Sequence, residues 1–221
     1  MYEQTTTSYA PGREAAISTT RLLGQVMFLV AVAIGFLALG TFIGRDLSIG
    51  TARICSFAGL GMLLVASFAP GRLFRVGPFA VVWLYALALM IGLGLGPVIE
   101  FFAETQPEAI SQAAAMTGLI TLGMGAAGFA WDRDLSPLMR PLSFIVLGAV
   151  VVSIVLLLVG SPAGASPIIS VVIGLASAAL IMVDFNFLRK HGTEEHAVLI
   201  ATGIFVSIVN IFISLLNIFS R

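Results

Sequence analysis

The sequence predicts an all-α integral membrane protein, a bundle of seven transmembrane helices with the last helix central. Two observations carry the class. Of 221 residues, 59% are hydrophobic and only 10% charged, whereas soluble domains are nearer 25% charged. The apolar residues also come in long uninterrupted runs, the length a helix needs to cross a bilayer, roughly 20 residues. Short alternating segments, the mark of an outer-membrane barrel, are not the pattern here. A third observation, two polar stripes near the C-terminus, places the last helix inside the bundle.

The spans are expected near 22–43, 54–70, 79–99, 109–130, 141–160, 167–188 and 197–219. Turn and charge signals mark the breaks: Gly44 to Asp46, Pro70-Gly71, Gly77-Pro78, Pro107, Pro137, Pro141, Pro162, Pro167 and Gly192. Short loops leave no room for a soluble domain. Residues 1–21, with Thr5, Thr6, Thr7, Pro11 and Gly12, read as a disordered cytoplasmic tail ending in an amphipathic lead-in. Residues 22–221 form the membrane domain. A cleaved signal peptide is the rival reading of the first run. That run exceeds the usual h-region of about 7–15 residues, which favours a retained anchor.

Basic residues set the expected orientation. Arg13, Arg21, Arg72, Arg75, Arg133, Arg140, Arg189 and Lys190 fall on one side, and Arg45, Arg53 and Arg221 on the other. The N-terminus is therefore expected in the cytoplasm and the C-terminus outside, in an inner (plasma) membrane. A formal net charge of zero argues against a nucleic-acid partner. The single cysteine, Cys55, excludes an internal disulfide and a thiolate metal site, and reads as a packing residue. Glu100, Glu104 and Glu108 share one helical face by their spacing of four. They form either a solvated acidic loop or a cation-attracting mouth.

Chemistry inside the membrane narrows to one carboxylate. Asp184 lies five residues before Arg189, about 7–8 Å inside the basic flank at 1.5 Å per residue. A charged side chain at the bilayer centre costs about 2.5–3.5 kcal/mol on insertion scales, and less near the interface. Asp184 must face the interior, pair, or hold a proton. Ser170, Gly174, Ser177, Ile181 and Asp184 follow steps of four, three, four and three along one stripe. Gly203, Ser207, Asn210, Ser214 and Asn217 repeat those steps in span seven. Small residues let helices approach, and buried hydroxyls and amides bond across the seam. The bland reading of Ser170, Ser177, Ser214 and Asn217 is a seam that only fixes packing. Asp184 reads equally as a fold contact or as a titratable latch, charged and paired at high pH, neutral and released at low pH. Arg72 or Arg75 is the candidate partner.

Other motifs are weaker. "GLGLGP" (92–97) follows no strand and is not a dinucleotide loop. With Ala88 it makes a small-residue ridge at 88, 92 and 96. His191 and His196 fall between spans six and seven. There is no H-E-x-x-H, no Ser–His pair within the membrane and no second intramembrane aspartate of the kind an aspartyl protease needs. An enzyme, a cofactor and a metal site are not expected.

The C-terminal stretch "DFNFLRKHGTEEHAVLIATGIFVSIVNIFISLLNIF" (184–219) resembles the end of the Bax inhibitor-1, or transmembrane Bax-inhibitor-motif, family, and most of all its bacterial YccA-like branch. "WDRDLSPLMRPL" (131–142) is similar to the family's charged segment after span four, and "IGLGLGPVIE" (91–100) to its Gly-Pro end of span three. The likeness covers about 22–219. It implies a seven-helix fold with the last helix central, and a pH-sensitive leak of calcium or protons. It further implies an acidic residue in helix six paired with an aspartate in helix seven. Asp184 matches the first position; Ser207 stands at the second. A carboxylate pair sharing a proton cannot form with a serine there. Calcium, which takes several carboxylate or carbonyl oxygens, would meet one carboxylate with Ser207 and Asn210. The same branch implies an alternative function: modulator or substrate of a membrane-anchored ATP-dependent protease, with the N-terminal tail as the handle.

Overall fold

The computed structural model describes residues 11–68, 77–158 and 167–220, with the backbone alone at 11–18, 67–68 and 153–158. The described residues form seven long helices: α1 Pro11–Gly44, α2 Ile49–Phe68, α3 Pro78–Thr105, α4 Pro107–Ala130, α5 Ser136–Leu158, α6 Pro167–His191 and α7 Ala197–Phe219. A single 3₁₀ turn, Glu194–His196, leads into α7. Six of the helices are long and apolar enough to cross a membrane, and α5 is apolar over Ser136–Val152. The seven-helix membrane bundle stands. Pro70, Gly71, Arg72, Arg75 and Pro162 lie outside the described residues.

Several boundaries differ from the expected ones for local reasons. The helix α1 starts at Pro11, ahead of the apolar run. Span three, expected to end near residue 99, continues through Pro97 to Thr105 as α3. A mid-helix proline removes one hydrogen bond, here the one to Leu93 O, without stopping a helix that neighbours support. Glu100 and Glu104 therefore end α3, whereas Glu108 lies in the first turn of α4 beyond the Gln106 break. The expected single face of three glutamates is not formed. Pro137 and Pro141, expected as breaks, fall within α5; Pro137 in the first turn is tolerated because its missing N–H has no helical partner there, whereas Pro141 lies inside the helix and removes the bond to Pro137 O. Gly77, with φ of 90°, caps α3 in the left-handed region that only glycine enters readily. Cys55 is half-buried in α2 with a free thiol.

The small-residue ridge works as expected, and its partner is a second glycine pair. A Cβ on Gly92 would sit 2.3 Å from Leu37 O, and one on Gly96 2.3 Å from the carbonyl carbon of Gly44. A Cβ on Gly40 would lie 2.5 Å from Leu89 O. So Gly40 and Gly44 of α1 meet Gly92 and Gly96 of α3, backbone on backbone, in parallel register. The sequence "GTFIG" (40–44) carried that signal unread. Gly94, on another face of α3, packs against Ser56 of α2.

The core explains why α7 is central. Leu22, Val26, Val30 and Ala33 of α1, Ala80, Leu84 and Ala88 of α3, and Ala201, Ile204, Phe205 and Val209 of α7 form one buried cluster. Further along α7, Leu216 joins Ala109 and Ala113 of α4. Half of α7 is buried inside the protein, against 11% of α2. The outward faces are apolar, with Leu122 of α4 and Ile168 of α6 more than 70% exposed, as a lipid-facing surface requires.

Candidate functional site

The two stripes face each other. Asn217 Nδ2 of α7 donates to Ser170 Oγ of α6 at 2.6 Å. A Cβ on Gly174 would lie 3.3 Å from Ser214 Cβ, and one on Gly203 only 2.9 Å from Asp184 Oδ2. These three pairs run in opposite directions along the two helices and stay in step. They fix an antiparallel register in which Ser177 is level with Asn210, and Ile181 with Ser207. Ser170, Ser177, Asp184, Ser207 and Ser214 are all buried; Asn210 and Asn217 are half-buried.

Asp184 is the chemical centre of the seam. It is 6% exposed, and among the described residues it has no hydrogen bond and no ion pair. Its carboxyl rests against Gly203, whose missing side chain makes the space. Ser207, at the position where the family resemblance implied an aspartate, lies one turn further along α7. The proposed partners Arg72 and Arg75 lie outside the described residues. Among the described residues, no group of three or more His, Cys, Asp or Glu side chains converges as metal ligands would.

Two residues beyond Asp184 the structure reveals a site that the stripes did not show. Asn186 is fully buried and points to the α4–α5 connection instead of α7. Its Nδ2 donates to Gly128 O at 3.2 Å, Trp131 O at 3.0 Å and Arg133 O at 3.1 Å. Its Oδ1 accepts from Leu135 N at 2.9 Å. One amide thus satisfies most of the backbone of a turn at the end of two spans. Gly128 lets the helices close: a Cβ there would sit 2.0 Å from Met182 O.

The last turn of α6 completes this clasp. Arg189 donates to Trp131 O at 2.8 Å and approaches Asp132 at 3.5 Å. Lys190 donates to Asp132 O, and His191 Nε2 meets Asp134 Oδ2 at 2.9 Å. Asp134 also accepts from Ser136 N at 2.9 Å and Ser136 Oγ at 2.5 Å. The bonds from Ser136, then that from His191, hold its carboxyl well below the usual carboxylate range. The charged segment "WDRDLS" and the basic end of "DFNFLRKH" are therefore one unit, tied mostly through backbone carbonyls. His196 faces Phe187 and bonds Thr193 Oγ1 at 3.0 Å. Sequence spacing missed Asn186 because its phase differs from the Asp184 stripe and its partners lie more than fifty residues away.

A seven-helix membrane bundle with a single carboxylate buried between its last two helices defines the class: a polytopic α-helical membrane protein whose interior is polar along one seam. A family model described as "Inhibitor of apoptosis-promoting Bax1" matches residues 19–221, and the chain belongs to the Bax inhibitor-1 family. It is similar to an uncharacterized membrane protein of Vibrio cholerae serotype O1 (strain ATCC 39315 / El Tor Inaba N16961), 27% identical over 209 residues that cover 90% of this chain and 88% of that one.

Proposed function

We propose that this multi-pass membrane protein is a pH-sensed ion leak serving ion homeostasis in the bacterial inner membrane. The observation that carries the reading is Asp184, a carboxyl held inside the bilayer region against Gly203 with no partner among the described residues. Burying such a group without a partner is expensive, and a fold contact gains little from it. A titratable group that changes the packing of α6 on α7 is a use that matches the expense. Purified protein in liposomes should pass calcium or protons between pH 5 and 8 in a pH-dependent manner, and Asp184→Asn should remove the pH dependence. Flux no greater than that of empty liposomes across this range would sink the proposal.

A second reading, a non-catalytic modulator or substrate of a membrane-anchored ATP-dependent protease, draws support from α1. Its helix begins at Pro11, while its apolar run begins only near residue 22, which offers a handle at the bilayer surface. Removing residues 1–18 should then abolish processing by the protease without disturbing the bundle; unchanged processing would count against the reading.

A further inference from the structure

We infer that the ion is the proton, carried along the α6–α7 seam by water ordered at a buried polar site of Ser177, Thr121 and Asn210. This inference rests on the leak reading of the same seam and names its substrate. Ser177 is fully buried, and its Oγ has no hydrogen-bond partner among the described residues; Thr121 on α4 is half-buried as a residue, but its Oγ1 is buried and likewise without one. The phase of Ser177, midway between Ser170 and Asp184, turns it toward α7, where the seam register sets it level with Asn210.

The parallel helices α4 and α6 bring the second orphan hydroxyl to the same depth. Gly128 packs on Met182, 54 positions on, and accepts from Asn186, 58 positions on. That offset puts Thr121 level with residues 175–179 of α6. Three mutually packed helices thus present two unpartnered hydroxyls and an amide at one level. A buried water needs two to four polar partners, and buried hydroxyls without one are costly.

The level is the middle of the membrane. Ser177 lies twelve residues from Arg189, about 18 Å at 1.5 Å per residue, in a hydrocarbon core about 30 Å thick. On one side Ser207 and Asp184 lead to the loop end; on the other, Ser214 and the Ser170–Asn217 pair lead to the far end. From Asp184 to Ser170 the seam covers about 21 Å, and on its α6 side Gly174, opposite Ser214, and Ile181, opposite Ser207, are the two positions without a polar side chain.

The seam is too tight for a hydrated metal ion. A Cβ at Gly174 would already press on Ser214, and one at Gly203 on the Asp184 carboxyl, and calcium wants six to eight oxygens where the seam has one carboxylate. A proton needs no such space. Each water or hydroxyl takes one proton and hands on another, so no charge is left behind. Asp184 accepts at the loop end and returns to carboxylate as the proton moves on.

The test uses the full chain in voltage-clamped liposomes, with a trapped pH dye in one set and a trapped calcium indicator in another. Proton flux without calcium flux is expected, and Ser177→Ala and Asp184→Asn should each lower it at least tenfold. A hydroxyl that was merely left over in packing would leave flux unchanged when removed. Thr121→Val and Asn210→Leu, on two other helices, should give the same loss and guard against a folding defect in any one variant, with circular dichroism and gel filtration as the check. Asp184-dependent calcium flux at a comparable rate would overturn the proton assignment and leave the leak intact. Proton flux indifferent to Ser177, Thr121 and Asn210 would overturn the seam as its route. The absence of either flux would overturn both the leak and this assignment.

Discussion

Asn186 shows how much one side chain can decide. Its amide has two N–H groups and three carbonyls within reach, so the donors are shared among Gly128, Trp131 and Arg133, while Leu135 N occupies its oxygen. Asn186→Ala leaves these backbone groups unmatched in a buried place, which should cost about 1–3 kcal/mol. Asn186→Asp should be worse, because a carboxylate offers only acceptors to three carbonyls. Thermal unfolding in detergent measures both; equal stability of the aspartate variant and wild type would refute the assignment of donors. Asp184, two residues earlier, has the opposite design. It has a space but no partner among the described residues, and the space exists because position 203 is glycine.

At the scale of elements, the close α1–α3 approach depends on which glycines touch backbone. Gly92 meets Leu37 O and Gly40, whereas a Cβ on Gly35 would meet nothing within 4 Å. Gly92→Ala must push two helices apart and should destabilise by about 1–3 kcal/mol, the usual cost of overpacking. Gly35→Ala should be neutral or slightly stabilising, since alanine is the better helix former by about 1 kcal/mol. Unfolding midpoints in the same detergent compare them, and equal losses would mean that the seam is not a backbone contact. The ridge at 88, 92 and 96 was legible from its spacing; that its partner is Gly40-Gly44 was not, because nothing local ties positions fifty residues apart. The clasp of "WDRDLS" on the end of α6 was hidden for the same reason.

At the scale of the molecule, seven helices that all cross the bilayer would put the two ends of the chain on opposite faces. The clasp adds that the α4–α5 connection and the C-terminal end of α6 share one face, which is the arginine-rich one. Right-side-out and inverted vesicles carrying an N-terminal and a C-terminal tag should therefore lose different tags to external protease, the C-terminal one from right-side-out vesicles. Loss of both tags from one vesicle type would contradict the odd crossing number.

What the sequence determined by itself is the bilayer-spanning class, the number of helices, and the two stripes of α6 and α7. These follow from run length and helical period, which are local properties of a chain whose backbone must satisfy itself in lipid. It also exposed the lone carboxylate at 184 and the serine at 207. Tertiary structure alone decided what each stripe residue meets: Asp184 against Gly203, Ser170 against Asn217, and Ser177 with its hydroxyl unmatched. It likewise decided that α3 runs through Pro97, and that Asn186 belongs to a loop and not to the seam. Those outcomes depend on helix register and on contacts between distant segments, and a period of 3.6 residues carries no information about which helix lies across the gap.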